Sequence, residues 1–249
     1  MKRLFAFTLL FQLMLLTAQA QGPSKTCPTC GLSMAKCQYK GKHPKPAANK
    51  PTANKPSATT GNINGYEWVD LGLSVKWATC NVGADKPEDY GGYYAWGEIT
   101  TKSRYDWDNC FDCLDDGGES WSVYKIGGKT KIEPNSGHDT ARQNWGGSWR
   151  MPTIKELEEL NSKCIWKWTS KGGHNGYVVT GPNGKSIFLP AAGFRYSTLS
   201  GYMSEDGYYW SGTLDSDNSA RTLTLCSDYH ITINGSERSS GHSIRPVTD

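Results

Sequence analysis

An α+β domain of short antiparallel strands and two short helices is what the sequence predicts for residues 63–249. Three observations carry that prediction. One segment, residues 154–163, opens on a capping box and keeps its apolar residues on a single helical face. The C-terminal half repeats short runs of aromatic and aliphatic residues separated by turn residues, which is the pattern of antiparallel hairpins. All ten tryptophans and twelve of the 13 tyrosines lie beyond residue 60. Each such ring buries roughly 150–250 Å², so a core forms here without long helices.

Along the domain, Glu67–Asp70 and Val75–Thr79 read as early strands. A short helix is expected over 138–144, ended by Trp145-Gly146-Gly147. In the main helix Thr153 serves as N-cap and Glu156 as its reciprocal partner. Ile154, Leu157, Leu160 and Cys164 share its inner face. Tyr177–Thr180 and Ser186–Leu189 flank Gly181-Pro182-Asn183-Gly184, turn chemistry that predicts a hairpin. Tyr208–Ser211, Arg221–Leu225, His230–Ile233 and Ser243–Val247 complete the expected strands.

Ahead of the domain, Lys2 and Arg3 precede an apolar run from Leu4 to Leu16, and Ala18-Gln19-Ala20 has the small-x-small form of a signal-peptidase site. Residues 1–20 are therefore expected to be a signal peptide. The run is short for a membrane span. No cysteine follows the cleavage point, so a lipid anchor there is not indicated. Residues 21–43 form a small head with Cys27, Cys30, Cys37 and His43 in a C-x2-C-x6-C-x5-H spacing. Such a set suits one tetrahedral zinc, whose binding would supply the folding energy the head lacks. Disulfides or free thiols are the competing readings in an exported chain. Residues 44–62, PKPAANKPTANKPSATTGN, read as a disordered linker, because nothing in them has apolar surface to bury.

Charge is divided between these parts. Residues 21–60 hold seven lysines and no acid, whereas residues 61–249 hold 18 Lys/Arg against 24 acids, a count of −6. A lysine-rich linker stays solvated and extended, and it is able to brush against anionic polymers. Nucleic acid is not among the expected partners.

Several segments in order, YEWVDLGLSVKWATCNVGA (66–84), GGYYAWGE (91–98), NWGGSWRMPT (144–153), SIFLPAAGFR (186–195), GYYWSG (207–212) and IRPV (244–247), resemble the Fibrobacter succinogenes major paralogous domain. The resemblance covers residues 66–247. It implies a C-type-lectin-like fold, distantly similar to formylglycine-generating enzymes and to the variable proteins of diversity-generating retroelements. It also implies an exported protein of a Gram-negative bacterium, at the cell surface, outside the cell or in the periplasm. A disulfide between Cys80 and Cys164 is a further implication. The chain departs from the family pattern at Gly241-His242-Ser243, where Gly-Phe-Ser is usual, and in an acidic insert from Cys110 to Glu119.

No catalytic constellation emerges. The paired cysteines of the formylglycine-generating enzymes have one counterpart in the C-terminal part, Cys226. Glu133-Pro134-Asn135 matches a lectin calcium triplet in letters but precedes both helices, and no Trp-Asn-Asp partner follows. Asp139-Thr140-Ala141 has the form of a bacterial O-glycosylation acceptor. Cys110 and Cys113 lie among acids, as a surface disulfide or a redox pair. Arg150 and Arg245 read as arginines knitting backbone carbonyls, and Trp145 and Trp149 read as core.

The candidate binding surface is the C-terminal hairpin region, by analogy with related folds. Arg195, Tyr196, Tyr202, Asp206, Tyr208, Tyr209 and Trp210 combine ring faces with polar groups, and Asp215, Asp217, Asn218, Tyr229 and His230 add hydrogen-bonding capacity. Because side chains alternate along a strand, about half of these belong to the core. The expected function is a secreted or cell-surface binding module for glycan or protein, without catalysis. A structural or adhesive surface component is the alternative, and an oxidase-like enzyme the least favoured. Apart from zinc in the head, no cofactor is expected.

Overall fold

The computed structural model describes residues 59–110, 131–228 and 231–249, all within the unit Pro56–Asp249. The signal peptide, the head with Cys27, Cys30, Cys37 and His43, and nearly all of the linker lie outside the described residues, as do Cys113, Tyr229 and His230.

The described residues form antiparallel sheets beside two short helices, an α+β architecture. The first sheet contains β1 (Thr60–Ile63), β2 (Tyr66–Asp70), β3 (Lys76–Ala78) and the closing β12 (Val247–Thr248), in the order β1-β2-β3-β12. Strand β1 corrects the linker boundary, which was expected at residue 62. Thr60-Gly61-Asn62 lacks large apolar side chains and so resembles linker. It is nevertheless paired through its backbone to β2 across an Asn64-Gly65 turn, with both turn residues at positive φ (52° and 90°). Gly61 is required there, since a Cβ would sit 2.4 Å from the Trp68 ring lying across it.

Helix α1 (Thr140–Trp145) follows its N-cap Asp139, whose carboxylate accepts from the Arg142 N–H. The same carboxylate accepts from Met151 N at 3.1 Å, tying the helix start to the next segment. Thr140 and Ala141 have no exposure and Asp139 has 1%, so this triplet is interior and not a glycosylation acceptor. Helix α2 (Ile154–Lys163) has the capping box read from Thr153 and Glu156, and it buries Leu157 and Leu160. Arg150, expected to bond carbonyls, instead holds mainly carboxylates, Glu156 at 2.7 Å and Asp249 at 2.8 Å.

A second sheet runs β4 (Ile165–Lys171), β5 (His174–Thr180), β6 (Ser186–Pro190), all antiparallel. The 181–184 hairpin forms as expected: Gly184 N donates to Gly181 O at 2.9 Å and Gly184 takes φ +80°. A Cβ at Gly181 would lie 2.0 Å from the Leu71 carbonyl oxygen, where no side-chain adjustment relieves the clash. Gly181→Ala is therefore expected to lose roughly 2–4 kcal/mol of stability, read as a lowered denaturation midpoint at unchanged m-value.

A small hairpin, β7 (Phe194–Tyr196) with β8 (Leu199–Gly201), precedes the long sheet β11-β10-β9, made of β9 (Asp206–Leu214), β10 (Ser219–Cys226) and β11 (Ile231–Glu237). The segment expected as a strand at Ser243–Val247 is only partly one. It makes single bridges, Tyr94↔His242 and Tyr209↔Ser243, and becomes β12 at Val247. Pro246 has no N–H to give a ladder. The segment is satisfied one carbonyl at a time, with Ala78 N donating to Pro246 O and Val82 N to Ile244 O.

Two large apolar clusters fill the interior. One gathers Trp77, Leu157, Leu160, Tyr177, Leu189, Tyr209 and Leu225 between α2 and the sheets. The other gathers Tyr94, Trp96, Trp145, Trp149, Trp210 and Ile244 around α1. Trp145 and Trp149 are core, as read from the sequence. Cys80 and Cys164 are free thiols and pack against different clusters, Cys164 on the first and Cys80 on the second. The expected disulfide between them is not formed. Cys110 is disulfide-bonded and has no exposure. Among the described residues no helix is long and apolar enough to cross a membrane.

Candidate functional site

The residues proposed as one surface are divided by the fold into three groups. Tyr209 and Trp210 are interior, with 1% and 0% exposure. Tyr209 donates its hydroxyl to Pro190 O at 2.6 Å, and Trp210 donates its indole N–H to Tyr94 O at 2.8 Å. They are removed from the binding set. Alternation along β9 could not show which rings face inward, because Gly207-Tyr208-Tyr209-Trp210 is aromatic on both parities.

Asp215, Asp217 and Asn218 are exposed but sit at the β9–β10 turn, whereas Asp206 begins β9. Nine strand residues at about 3.3 Å each separate these ends by roughly 30 Å, so the two groups do not make one site. Asp215 is engaged locally, accepting from Arg221 Nη1 at 3.0 Å and from Ser219 Oγ at 3.0 Å. The Asp217 carbonyl accepts from Arg238 Nη1.

The third group is a coherent surface. Tyr196 (50% exposed), Leu199 (68%), Tyr202 (57%) and Met203 (42%) lie within eight residues on β7, β8 and the connection to β9. These are four of the six large hydrophobics that stand exposed among the described residues, the others being Ile99 and Ile165. Tyr196 and Leu199 face each other across the β7–β8 pair. The half-buried Phe194 ring stacks on Tyr202 at 5.9 Å and takes Tyr208 edge-on at 5.2 Å. Gly201 makes room for it, since a Cβ there would lie 2.8 Å from the Phe194 ring. Arg195 lies over the Tyr93 ring at 5.5 Å and donates to Ser200 Oγ at 2.6 Å. Phe194, Leu199 and Met203 were not singled out in the sequence. Their signal is present as apolar residues bracketing Arg195, Tyr196 and Tyr202, but separate apolar letters do not announce exposure.

Backbone strain is concentrated on this surface. Of four non-glycine residues at positive φ among those described, three are here: Ser197 (51°), Tyr202 (52°) and Ser204 (67°). A bulky residue in that region is a true outlier, and such conformations persist only where the surroundings over-determine them. Here they do. Ser197 exchanges both backbone hydrogen bonds with Tyr105, and the Tyr202 carbonyl accepts from Glu205 N and Asp206 N. Ser204 is held by Ala191 O, by the Asn175 amide and by the Tyr90 hydroxyl. The exposed rings are thus displayed on a rigid mount.

At the border of the surface, Tyr208 donates to Asp206 Oδ2 at 3.4 Å, and Asp206 sits opposite Cys226 in the β9–β10 register. Burial raises the Asp206 carboxyl above its usual range, against hydrogen bonds from Cys226 and Tyr208 that lower it. Burial first, then the Asp206 charge, pushes the Cys226 thiol up to about 11, and burial pushes the Tyr208 phenol up to about 12. Cys226 is therefore a protonated thiol at neutral pH and not a thiolate nucleophile.

No group of three or more His, Cys, Asp or Glu among the described residues is arranged to hold a metal ion. Glu133 of the Glu133-Pro134-Asn135 triplet lies 3.5 Å from Lys131 Nζ, and its carbonyl accepts from Ser136 N, a local turn. No protein-family model, no curated protein and no solved structure matches the chain.

Proposed function

We propose that this chain is an exported binding module with a C-type-lectin-like domain of the Fibrobacter succinogenes major paralogous type, and that the β7–β8 surface recognises a protein at the cell surface. The observation that supports this reading is the group of exposed Tyr196, Leu199, Tyr202 and Met203 side chains on a backbone held in strained conformations. Apolar side chains exposed together mark interaction surfaces. Tyrosine, methionine and arginine are enriched at the cores of protein interfaces, where two-angle rings lose little entropy on binding. Leu199 and Met203 favour a protein over a glycan, because sugar rings gain most from flat aromatic faces and from hydrogen-bonding groups close beside them.

The test compares the full chain with Leu199→Ser and Tyr202→Asn variants, singly and together, for retention of cell-envelope proteins and on glycan arrays. Asparagine tolerates the positive φ at 202, so the fold is kept while the ring is lost. Each change is expected to weaken retention of one envelope protein by about tenfold or more. Unchanged retention by the folded double variant would remove this surface from the binding reading. Retention confined to glycans would replace the protein partner, and no retention in either assay would leave a structural component.

A further inference from the structure

Most sheet edges in this fold are covered. The outer side of β9 gives Trp210 N to Ser243 O at 3.0 Å and Gly212 N to Pro152 O at 2.7 Å. Strand β12 is bridged by Arg150 and β7 by Gly241, and in β6 the Phe188 carbonyl accepts from Arg245 Nη2. The edges with no backbone neighbour among the described residues are β1, β4, β8 and β11. An open edge is a row of unpaired N–H and C=O groups, and proteins protect such rows by keeping them short or by placing lysine or proline on them. Strands β1 and β8 have four and three residues, and β4 carries Lys167 and Lys171.

Strand β11 has none of these protections. Its seven residues, ITINGSE, include no lysine, arginine or proline. Its pairing with β10 runs unbroken from Leu225↔Ile231 to Ser219↔Glu237, so no bulge turns the edge away. From Ile231 to Ser236 no backbone N–H or C=O bonds a described residue outside the β10 pairing. Thr232, Asn234 and Gly235 are exposed, while Ile231 and Ile233 pack against the first apolar cluster. That packing fixes which face looks inward. On the other face Asn234 Nδ2 donates to Thr232 Oγ1 at 2.8 Å, which lays the amide along the strand. The unpaired groups of β11 are thus already held in ladder geometry.

What completes such a row is another strand, and the sequence of β11 suits its own copy. Antiparallel pairing about a two-fold axis at Asn234, the middle residue, is the register that uses the whole strand. It sets Asn234 opposite Asn234, Thr232 opposite Ser236, Ile233 opposite Gly235 and Ile231 opposite Glu237. Hydroxyl and amide pairs of this kind interact favourably across strands, and no charge faces a like charge. We propose that β11 pairs in this register with β11 of a second copy of this chain, joining two three-stranded sheets into one of six strands. A sheet of that size is ordinary. Strand β11 holds none of the residues of the β7–β8 surface, so this association and the recognition proposed for that surface stand or fall separately.

The test is sedimentation velocity of the full chain from about 5 µM to 500 µM, the range in which a small interface shows itself. Residues 61–249 count −6, so about 0.15 M salt is used to screen repulsion between copies. The sedimentation coefficient is expected to rise with concentration toward that of a dimer. Asn234→Lys and Asn234→Glu each set like charges opposite one another at an exposed position, and each is expected to weaken association about fivefold or more. An equimolar mixture of the two, which sets lysine opposite glutamate, is expected to restore it. Hydrogen exchange gives a second readout, in which high concentration slows the β11 amides of the parent and leaves those of β4 unchanged. The Leu199→Ser/Tyr202→Asn variant is expected to associate as the parent does. A monomer at every concentration, association unchanged in both charge variants, or a mixture no stronger than either variant alone would each overturn the proposal.

Discussion

Arg245→Met is expected to lose on the order of 4 kcal/mol of stability or more, enough to leave a marginal domain unfolded at room temperature. The guanidinium is 1% exposed and meets no carboxylate among its hydrogen-bond partners. Its fork instead reaches Ala78 O at 3.0 Å, Thr79 O at 2.7 Å, Phe188 O at 3.0 Å and Asn81 Oδ1 at 2.9 Å. One side chain thereby joins the end of β3, the loop after it and the middle of β6 to the C-terminal segment. Burial pulls its pKa below the usual arginine value, the expected direction for a cation taken out of water. Removing it strands the buried Ala78 and Phe188 carbonyls, the part-buried Thr79 carbonyl and the Asn81 amide oxygen, and each buried group left without a partner costs about 1–3 kcal/mol. Arg245→Lys does not repair this, since one ammonium cannot span the fork's directions. It is expected to lose more than 2 kcal/mol, measured as the shift in denaturant midpoint at constant m. Stability within about 0.5 kcal/mol of the parent in either variant would show that water replaces the fork, and that the arginine is not the tie described.

The second large effect is on acid stability. His242 is 1% exposed, stacks on Trp210 at 4.0 Å, and has Tyr208 5.2 Å away. Thr222 Oγ1 donates to Tyr209 O at 2.9 Å, so it faces His242 Nδ1 as an acceptor at 3.4 Å. Ser236 Oγ then donates to Nε2 at 3.3 Å, which assigns the Nδ1–H tautomer of the neutral ring. Burial, with no carboxylate opposing it, pushes the imidazole down to about 3 from its ordinary 6.5. Above pH 6.5 neither folded nor unfolded chain protonates this group, and its effect is absent. Below 6.5 the unfolded chain takes up a proton that the folded chain refuses until about pH 3. Stability therefore falls by about 1.4 kcal/mol per pH unit across that window. His242→Phe keeps the ring on Trp210 and removes the titration. The variant is expected to be close to the parent at pH 7 and about 3 kcal/mol more stable at pH 4.5, once the two profiles are subtracted. Parallel profiles for parent and variant would mean that the ring is protonated within the fold.

Local chemistry made part of the fold legible. Thr153 and Glu156 announced α2 because a capping box is a short-range device. Gly181 to Gly184 announced their hairpin because positive φ needs particular residues. What stayed hidden was non-local. Strand β1 exists through pairing with Tyr66–Asp70, which no property of Thr60-Gly61-Asn62 signals. Strand β4 follows α2 after the single residue Cys164, so no turn residue announces it and it was not among the expected strands. The site was half legible for the same reason. Tyr196 and Tyr202 were named from their chemistry, while Tyr209 and Trp210, chemically alike, are covered by the segment near Ser243 and by α1. The distance between Asp206 and Asp215, adjacent in the sequence reading, became large because both belong to the same extended strand and its turn.

The measurement that tests the proposed binding face most directly is photo-crosslinking from single sites in the full chain expressed in its native cell. A photoreactive residue at Leu199 is compared with one at Asp217, at the far end of the β9–β10 hairpin. Adducts with one discrete protein from position 199 and none from 217 are the predicted result. Adducts from position 217 with none from 199 would contradict the assignment of the β7–β8 surface as the recognition face.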